Sequence, residues 1–324
     1  MGERPIFLVG CPRSGTTLLT TMLHAHPRLA FPPETRFLLP AYESRATFGD
    51  LTVRANRVQL ARRITGKGTR FRDLGLDRKT VVEAIADGPP TLGSALGIVW
   101  REFATSRGKV RWGEKRPAYW RHMDVVSALF PEAQFVHLVR DPRACVASLL
   151  RVSWAEGGVE DAAAVWVLAD REIRRFSRRV GPASYHALQY EELVAQPERV
   201  LAALCDFLGE QFDPSMLSYQ GAAHDIVPDR KTWHDNTKGA LDVSRTEAWR
   251  TQLTPSEIRL VELAARSGMR RWGYRPSGVR VRPAATAVAR YEATLARRIA
   301  SIERDRVGAA LQARRSKEVL ASRL

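Results

Sequence analysis

The chain is 324 residues long and 44% hydrophobic, enough for a packed core, with 51 Lys and Arg against 35 Asp and Glu. Its length suits one α/β domain with an appendage, or two small domains. Three scattered cysteines, Cys11, Cys145 and Cys205, exclude a disulfide framework or a zinc site and predict a reducing compartment. No apolar run approaches membrane-spanning length, so no transmembrane segment is expected. Met1-Gly-Glu-Arg4 leads straight into an apolar run without the regions of a signal peptide, which predicts a cytoplasmic protein.

In chain order, Pro5-Ile-Phe-Leu-Val9 reads as a strand, Gly10-Cys-Pro-Arg-Ser-Gly-Thr-Thr17 as a glycine-containing loop, and residues 15–26 as a helix. The spacing is that of a P-loop with one departure: Thr16 stands where nucleotide kinases place lysine. Such a loop offers backbone N–H groups and a positive helix end to a phosphate. Losing the lysine argues against ordinary γ-phosphoryl transfer from ATP, and Arg13 is the nearest replacement cation. Residues 43–87 are polar, basic and weakly patterned, and read as an inserted helical cap over the site.

Further helices are predicted over 91–105, 118–129, 143–152 and 161–180, with strands over 109–112, 134–139 and 184–189. This alternation implies βαβ units and a parallel sheet. Helices over 197–208 and 255–267 follow, separated by a long loop at 224–243. From 275 onward, 12 basic residues stand against 4 acidic ones, half of the chain's net charge of +16. That tail carries a helical stripe of Val288, Tyr291, Leu295, Ile299 and Ile302 opposite an arginine-rich face. The plain reading is a helix packed on its own domain or on a second subunit, as in a homodimer. The alternatives are an acidic partner or an anionic membrane surface. The division expected is a domain over 1–275 and a basic helical extension over 276–324.

A second phosphate-binding candidate follows the strand at 134–139, in Leu138-Val-Arg-Asp-Pro-Arg-Ala-Cys-Val-Ala-Ser148. An arginine leaving the C-terminal end of a buried strand points into the crevice where α/β sheets bind ligands. Pro142 suits a first helical turn with Asp141 as its cap, and Ser148 lies one to two turns along. Guanidinium donors match phosphate in pairs. The plain alternative is a local Arg140–Asp141 ion pair.

Two loops, each with an arginine and a serine, thus flank one crevice. Together they resemble the sulfotransferase family that uses 3′-phosphoadenylyl sulfate (PAPS), as its 5′-phosphosulfate loop and 3′-phosphate motif. Further matches are Trp112-Gly-Glu-Lys115-Arg-Pro117, Tyr190-Glu-Glu-Leu-Val-Ala-Gln-Pro197 and the pattern Trp249, Leu253 and Trp272-Gly-Tyr274. Ser14-Gly-Thr-Thr, His24-Ala-His-Pro27 and Pro33-Glu-Thr-Arg36 are similar to the branch that holds protein-tyrosine sulfotransferases and many bacterial enzymes.

The resemblance implies an α/β, P-loop-like three-layer sandwich around a central parallel sheet. It implies that Arg13, Ser14, Gly15, Thr16 and Thr17 hold the 5′-phosphosulfate, and Arg140 and Ser148 the 3′-phosphate. Glu34 is then the catalytic base, with Pro33 where the family often has another acid, and Lys115 and Arg13 stabilise the leaving oxygen. Tyr190 lies near the nucleotide or in the core, and Lys238 is the nearest match for a residue closing over the 3′-phosphate. The plain alternatives are a solvated Glu34 or its pairing with Arg36, and a Lys115–Glu114 pair.

Chemically, an attacking hydroxyl or phenol must lose a proton, which a carboxylate in a partly dry cleft accepts. Cations and N–H donors stabilise charge on the departing 5′-phosphate. A sulfuryl group carries less charge than a phosphoryl group, so no metal is expected. The acceptor expected is a small-molecule hydroxyl, with no nucleic-acid partner. A small-molecule P-loop kinase and a non-catalytic nucleotide-binding protein are the competing readings.

Overall fold

The computed structural model describes residues 4–153, 155, 157–226, 239, 241–315 and 320–324. Five parallel strands, β1 (Ile6–Val9), β2 (Leu29–Ala30), β3 (Arg111–Lys115), β4 (Gln134–Val139) and β5 (Tyr185–Gln189), form one sheet. Their order is β2-β3-β1-β4-β5. Central β1 is apolar throughout because both its faces are covered. Ile6 and Leu8 enter one apolar cluster with the helices Thr16–Ala25 and Pro197–Leu208. Phe7 and Val9 enter the other, with the helices Leu92–Thr105 and Val159–Val180. Helices on both faces of a parallel sheet make the expected α/β three-layer arrangement.

The strand order decides where the site lies. From β1 the chain runs out to edge strand β2, returns to β3 beside β1, and then crosses to β4 on the other side of β1. The loops leaving β1, β3 and β4 therefore meet at one crevice at the carboxyl end of the sheet, the usual ligand position in open α/β sheets.

Several elements differ from the sequence pattern. Strand β3 runs over Arg111–Lys115 rather than 109–112. Its polar residues mask it: Arg111, Glu114 and Lys115 are buried but each is hydrogen-bonded, a compensation invisible to an apolar pattern. Two-residue β2 leaves no periodicity to read. The segment 118–129 divides into a 3₁₀ turn, Pro117–Arg121, and a helix, Met123–Leu129. The helix expected over 255–267 breaks at Ala265 into Pro255–Ala264 and Arg266–Arg271.

Residues 43–87 contain the helices Arg54–Ile64 and Arg78–Asp87 and two short 3₁₀ turns. Leu60, Ala61 and Ile64 of the first and Val81, Ile85 and Ala86 of the second are buried beside Leu92–Thr105. The tail forms the helix Ala285–Arg315 and packs along Val159–Val180. Tyr291 and Ile302 are buried, and Val288, Leu295 and Ile299 pack at the margin of the core. Arg290, Arg298 and Arg306 pair with Glu160, Asp161 and Glu172 of the same chain. The expected stripe is thus covered by its own domain. Among the described residues, no helix is long and apolar enough to cross a membrane.

Candidate active site

The loop after β1 is bent by two left-handed residues, Arg13 at φ 72° and Gly15 at φ 95°. Gly15 caps the helix Thr16–Ala25, and a Cβ there would lie 2.4 Å from the Tyr190 ring. Both the turn and the close approach therefore require glycine. The first N–H groups of a helix have no intrahelical acceptor, and here Gly15, Thr16 and Thr17 line a cavity of about 730 Å³. Ser14 sits beneath the loop instead. It is fully buried, and its Oγ, without a hydrogen-bond partner among the described residues, lies 2.8 Å from the position a Gly10 Cβ would take.

On one side of this helix start stand Glu34 and Lys115. Lys115 Nζ donates to Glu34 Oε1 at 2.5 Å and to Thr17 Oγ1 at 3.3 Å, joining the acid to the helix N-terminus. Arg70, from the segment 43–87, approaches Glu34 Oε2 at 3.8 Å. Glu34 is 19% exposed and Lys115 5%, so their pairing is largely shielded from solvent. The plain pairings with Arg36 and Glu114 are not the ones formed. Glu114 lies deeper, where burial above all, then the negative charge of Glu34, push its carboxyl up to about 8. Its hydrogen bonds with Thr35 and the Lys115 N–H act the other way.

On the other side, Asp141 caps the helix Pro142–Leu149 through Arg143 N–H at 2.8 Å, and Pro142 occupies its first turn. Asp141 pairs with Arg143, leaving Arg140 to face the crevice. Arg140 donates to the carbonyls of Arg13 at 3.1 Å and Arg245 at 3.0 Å, and its guanidinium lies 4.3 Å above the Tyr190 ring. Its Nε is buried without a hydrogen-bond partner among the described residues. Arg13 Nε donates to Ser148 Oγ at 3.1 Å. Burial lowers the Arg13 pKa, and the positive charge of Arg140 lowers it further. Two shielded guanidiniums so arranged form a ready anion site.

The structure therefore gathers Arg13, Gly15, Thr16, Thr17, Glu34, Lys115, Arg140, Ser148 and Tyr190 around one cavity. Of the two expected leaving-group cations, Lys115 donates to Glu34 and Arg13 to Ser148, and both line the cavity. Lys238, with Lys231, Trp233 and His234 of the same loop, lies outside the described residues. Arg70, Arg151 and Arg245 also line the cavity. Arg151 follows Ser148 by three residues on the helical period and was legible on that ground; Arg70, in the weakly patterned segment 43–87, carried no signal. His24 and His26 serve structure: their Nδ1 atoms accept from the N–H groups of Phe31 and Arg28. Among the described residues no cluster of three His, Cys, Asp or Glu side chains is placed to hold a metal ion.

With this geometry in place, comparison with known proteins is decisive for the family. The model of the sulfotransferase family matches residues 5–214. The chain belongs to the sulfotransferase family. It is 28% identical to the nodulation protein NoeE of Sinorhizobium fredii, over 79% of this chain and 62% of that one. It is 28% identical to protein-tyrosine sulfotransferase 2 of Gallus gallus, over 66% of this chain and 53% of that one. This sulfotransferase-family chain thus spans under two thirds of the length of both relatives. Among solved structures it resembles the sulfotransferase domain of the Synechococcus PCC 7002 olefin synthase, with 26% identity and a TM-score of 0.61. That likeness covers 85% of this chain and 96% of the domain.

Proposed function

We propose that this protein transfers a sulfuryl group from PAPS to a hydroxyl or phenol of a small-molecule acceptor. The observation that carries the reading is the bridge Glu34–Lys115–Thr17, which sets a carboxylate and a cation at the start of the phosphate-loop helix. The residues fit a nucleotide phosphorylated at two positions: a helix N-terminus with glycine cap on one side, and on the other Arg140, whose buried Nε has no partner among the described residues.

In this reading Gly15, Thr16 and Thr17 bind the 5′-phosphosulfate through the helix N-terminus, while Arg140, Arg13 and Ser148 bind the 3′-phosphate. The acceptor oxygen forms its bond to sulfur as the bond from sulfur to the 5′-phosphate oxygen breaks. Glu34 takes the acceptor's proton. Lys115 and the helix N–H groups stabilise negative charge on the departing phosphate oxygen. The likeness to an olefin-synthase domain supports a metabolite acceptor over a peptidyl tyrosine. Three free, buried thiols suit a reducing cytoplasm.

The test is Glu34→Ala, assayed with PAPS against sugar, lipid, polyketide and phenolic acceptors by release of 3′,5′-ADP. Loss of the base is expected to lower transfer by roughly 10²–10⁴-fold while 3′,5′-ADP binds as to the unaltered protein. Normal turnover by Glu34→Ala would remove Glu34 from the mechanism.

A further inference from the structure

A fully buried acid directly behind the proposed base and cation has no place in the steps above. Glu114 is 0% exposed at the end of β3. Its Oε1 accepts from the Thr35 hydroxyl at 2.8 Å and the Tyr119 hydroxyl at 3.3 Å, and its Oε2 from the Lys115 backbone N–H at 3.0 Å. Three segments meet on this one carboxyl: the loop carrying Glu34, the strand end carrying Lys115, and the 3₁₀ turn Pro117–Arg121.

The loop is the segment that most needs such a tie. Residues 31–37 belong to neither a helix nor a strand, so no regular ladder holds Glu34 in place. Its neighbours supply anchors instead: Thr35 through Glu114, and Arg36 through its N–H to the Thr69 carbonyl at 2.8 Å. A buried carboxyl is costly in an apolar setting unless its hydrogen bonds are specific. We propose that Glu114 is a positioning residue that fixes Glu34 against Lys115 through Thr35 and the Lys115 backbone. Because burial raises its pKa to about 8, it stays largely neutral at pH 7 and does not place a second negative charge beside Glu34. The hydroxyls of Thr35 and Tyr119 both rotate, so the oxygen of either accepts a hydrogen bond from the protonated Glu114 carboxyl while the remaining donors are kept.

This inference rests on the sulfuryl-transfer reading. Its test is a double-mutant cycle of Glu114→Met, which removes the acceptors while keeping an unbranched side chain, and Thr35→Val in the full chain, with kcat, KM for PAPS, and Kd for 3′,5′-ADP. Each single change is expected to lower kcat by roughly ten- to hundredfold, since a displaced catalytic group loses rate steeply. KM and Kd should move by less than about twofold, because the nucleotide contacts are untouched. The double variant should be no slower than the slower single variant, because both changes cut one connection. Fully multiplicative losses, unaltered kcat in folded Glu114→Met, or a loss confined to nucleotide affinity would each overturn the inference. Should Glu114→Met fail to fold, Thr35→Val alone reads the same connection, and unaltered kcat there overturns it. An unaltered protein without PAPS turnover would sink the sulfuryl-transfer reading and the inference with it; normal turnover with an unaffected Glu114→Met sinks the inference alone.

Discussion

Arg140 binds two carbonyls, lies over an aromatic ring, and still keeps a buried Nε without a partner among the described residues. An arginine so held is committed to its place before any ligand arrives, which reduces the ordering cost of binding. Arg140→Ala is expected to weaken 3′,5′-ADP by roughly 10–100-fold, the worth of charged hydrogen bonds. It should weaken 5′-AMP much less, and calorimetry with both ligands checks this: equal loss for both would remove the 3′-phosphate role. At this scale the motifs named Glu34, Lys115 and Arg140 but not their partners. Glu34 takes Lys115 and Arg70, and Asp141 takes Arg143, because partner choice depends on which loops the sheet brings together.

At the scale of elements, the tail was legible as a helix, since its stripe repeats on the helical period. What the stripe packs against was open, and it proved to be the helix Val159–Val180. Its arginine pairs reach solvent, Arg290 being 66% exposed and Arg298 31%, and add little each. Its buried side chains matter more. Residues 320–324 add backbone bonds, Gly93 N–H to Leu320 O at 2.8 Å and Ser322 N–H to Leu129 O at 2.7 Å. Deletion after residue 284 should therefore cost on the order of 5 kcal/mol, from the lost burial of Tyr291, Ile302 and their neighbours. Thermal unfolding checks this as a Tm lowered by on the order of 10 °C; an unchanged Tm would show that the tail helix is not integral to the core. Strand β3 was misplaced for the opposite reason, since its buried polar side chains hide it from any apolar pattern.

Across the whole molecule, stability should depend on pH through buried groups. Burial lowers His24 and His137 to about 4 from an ordinary 6.5, so protonation of the unfolded chain costs stability as pH falls below 6.5. Burial raises Glu114 from 4.5 to about 8, so the folded state holds its proton longer. That contribution is present at low pH and is lost as pH rises through about 8. The unfolded histidines are half titrated at 6.5 and finish by about 7.5, so from there to about 8 Glu114 alone of the three still acts. Lys109, which burial lowers from 10.5 to about 8, acts oppositely near pH 8, so the comparison between proteins carries the test. In urea unfolding the slope of stability against pH across that window should be less negative in Glu114→Gln than in the unaltered protein; the same slope in both would remove Glu114 as a contributor. The sequence by itself determined the chemistry available: a phosphate loop without the kinase lysine, an arginine motif at a strand end, and one acid beside a basic segment. Local patterns suffice for these because each occupies a few consecutive residues at a loop or helix start. Only the tertiary structure decided that they form one site. β1 lies between β3 and β4, so residues about 100 apart in the chain, such as Thr17 and Lys115, meet within hydrogen-bonding reach at the carboxyl end of the sheet.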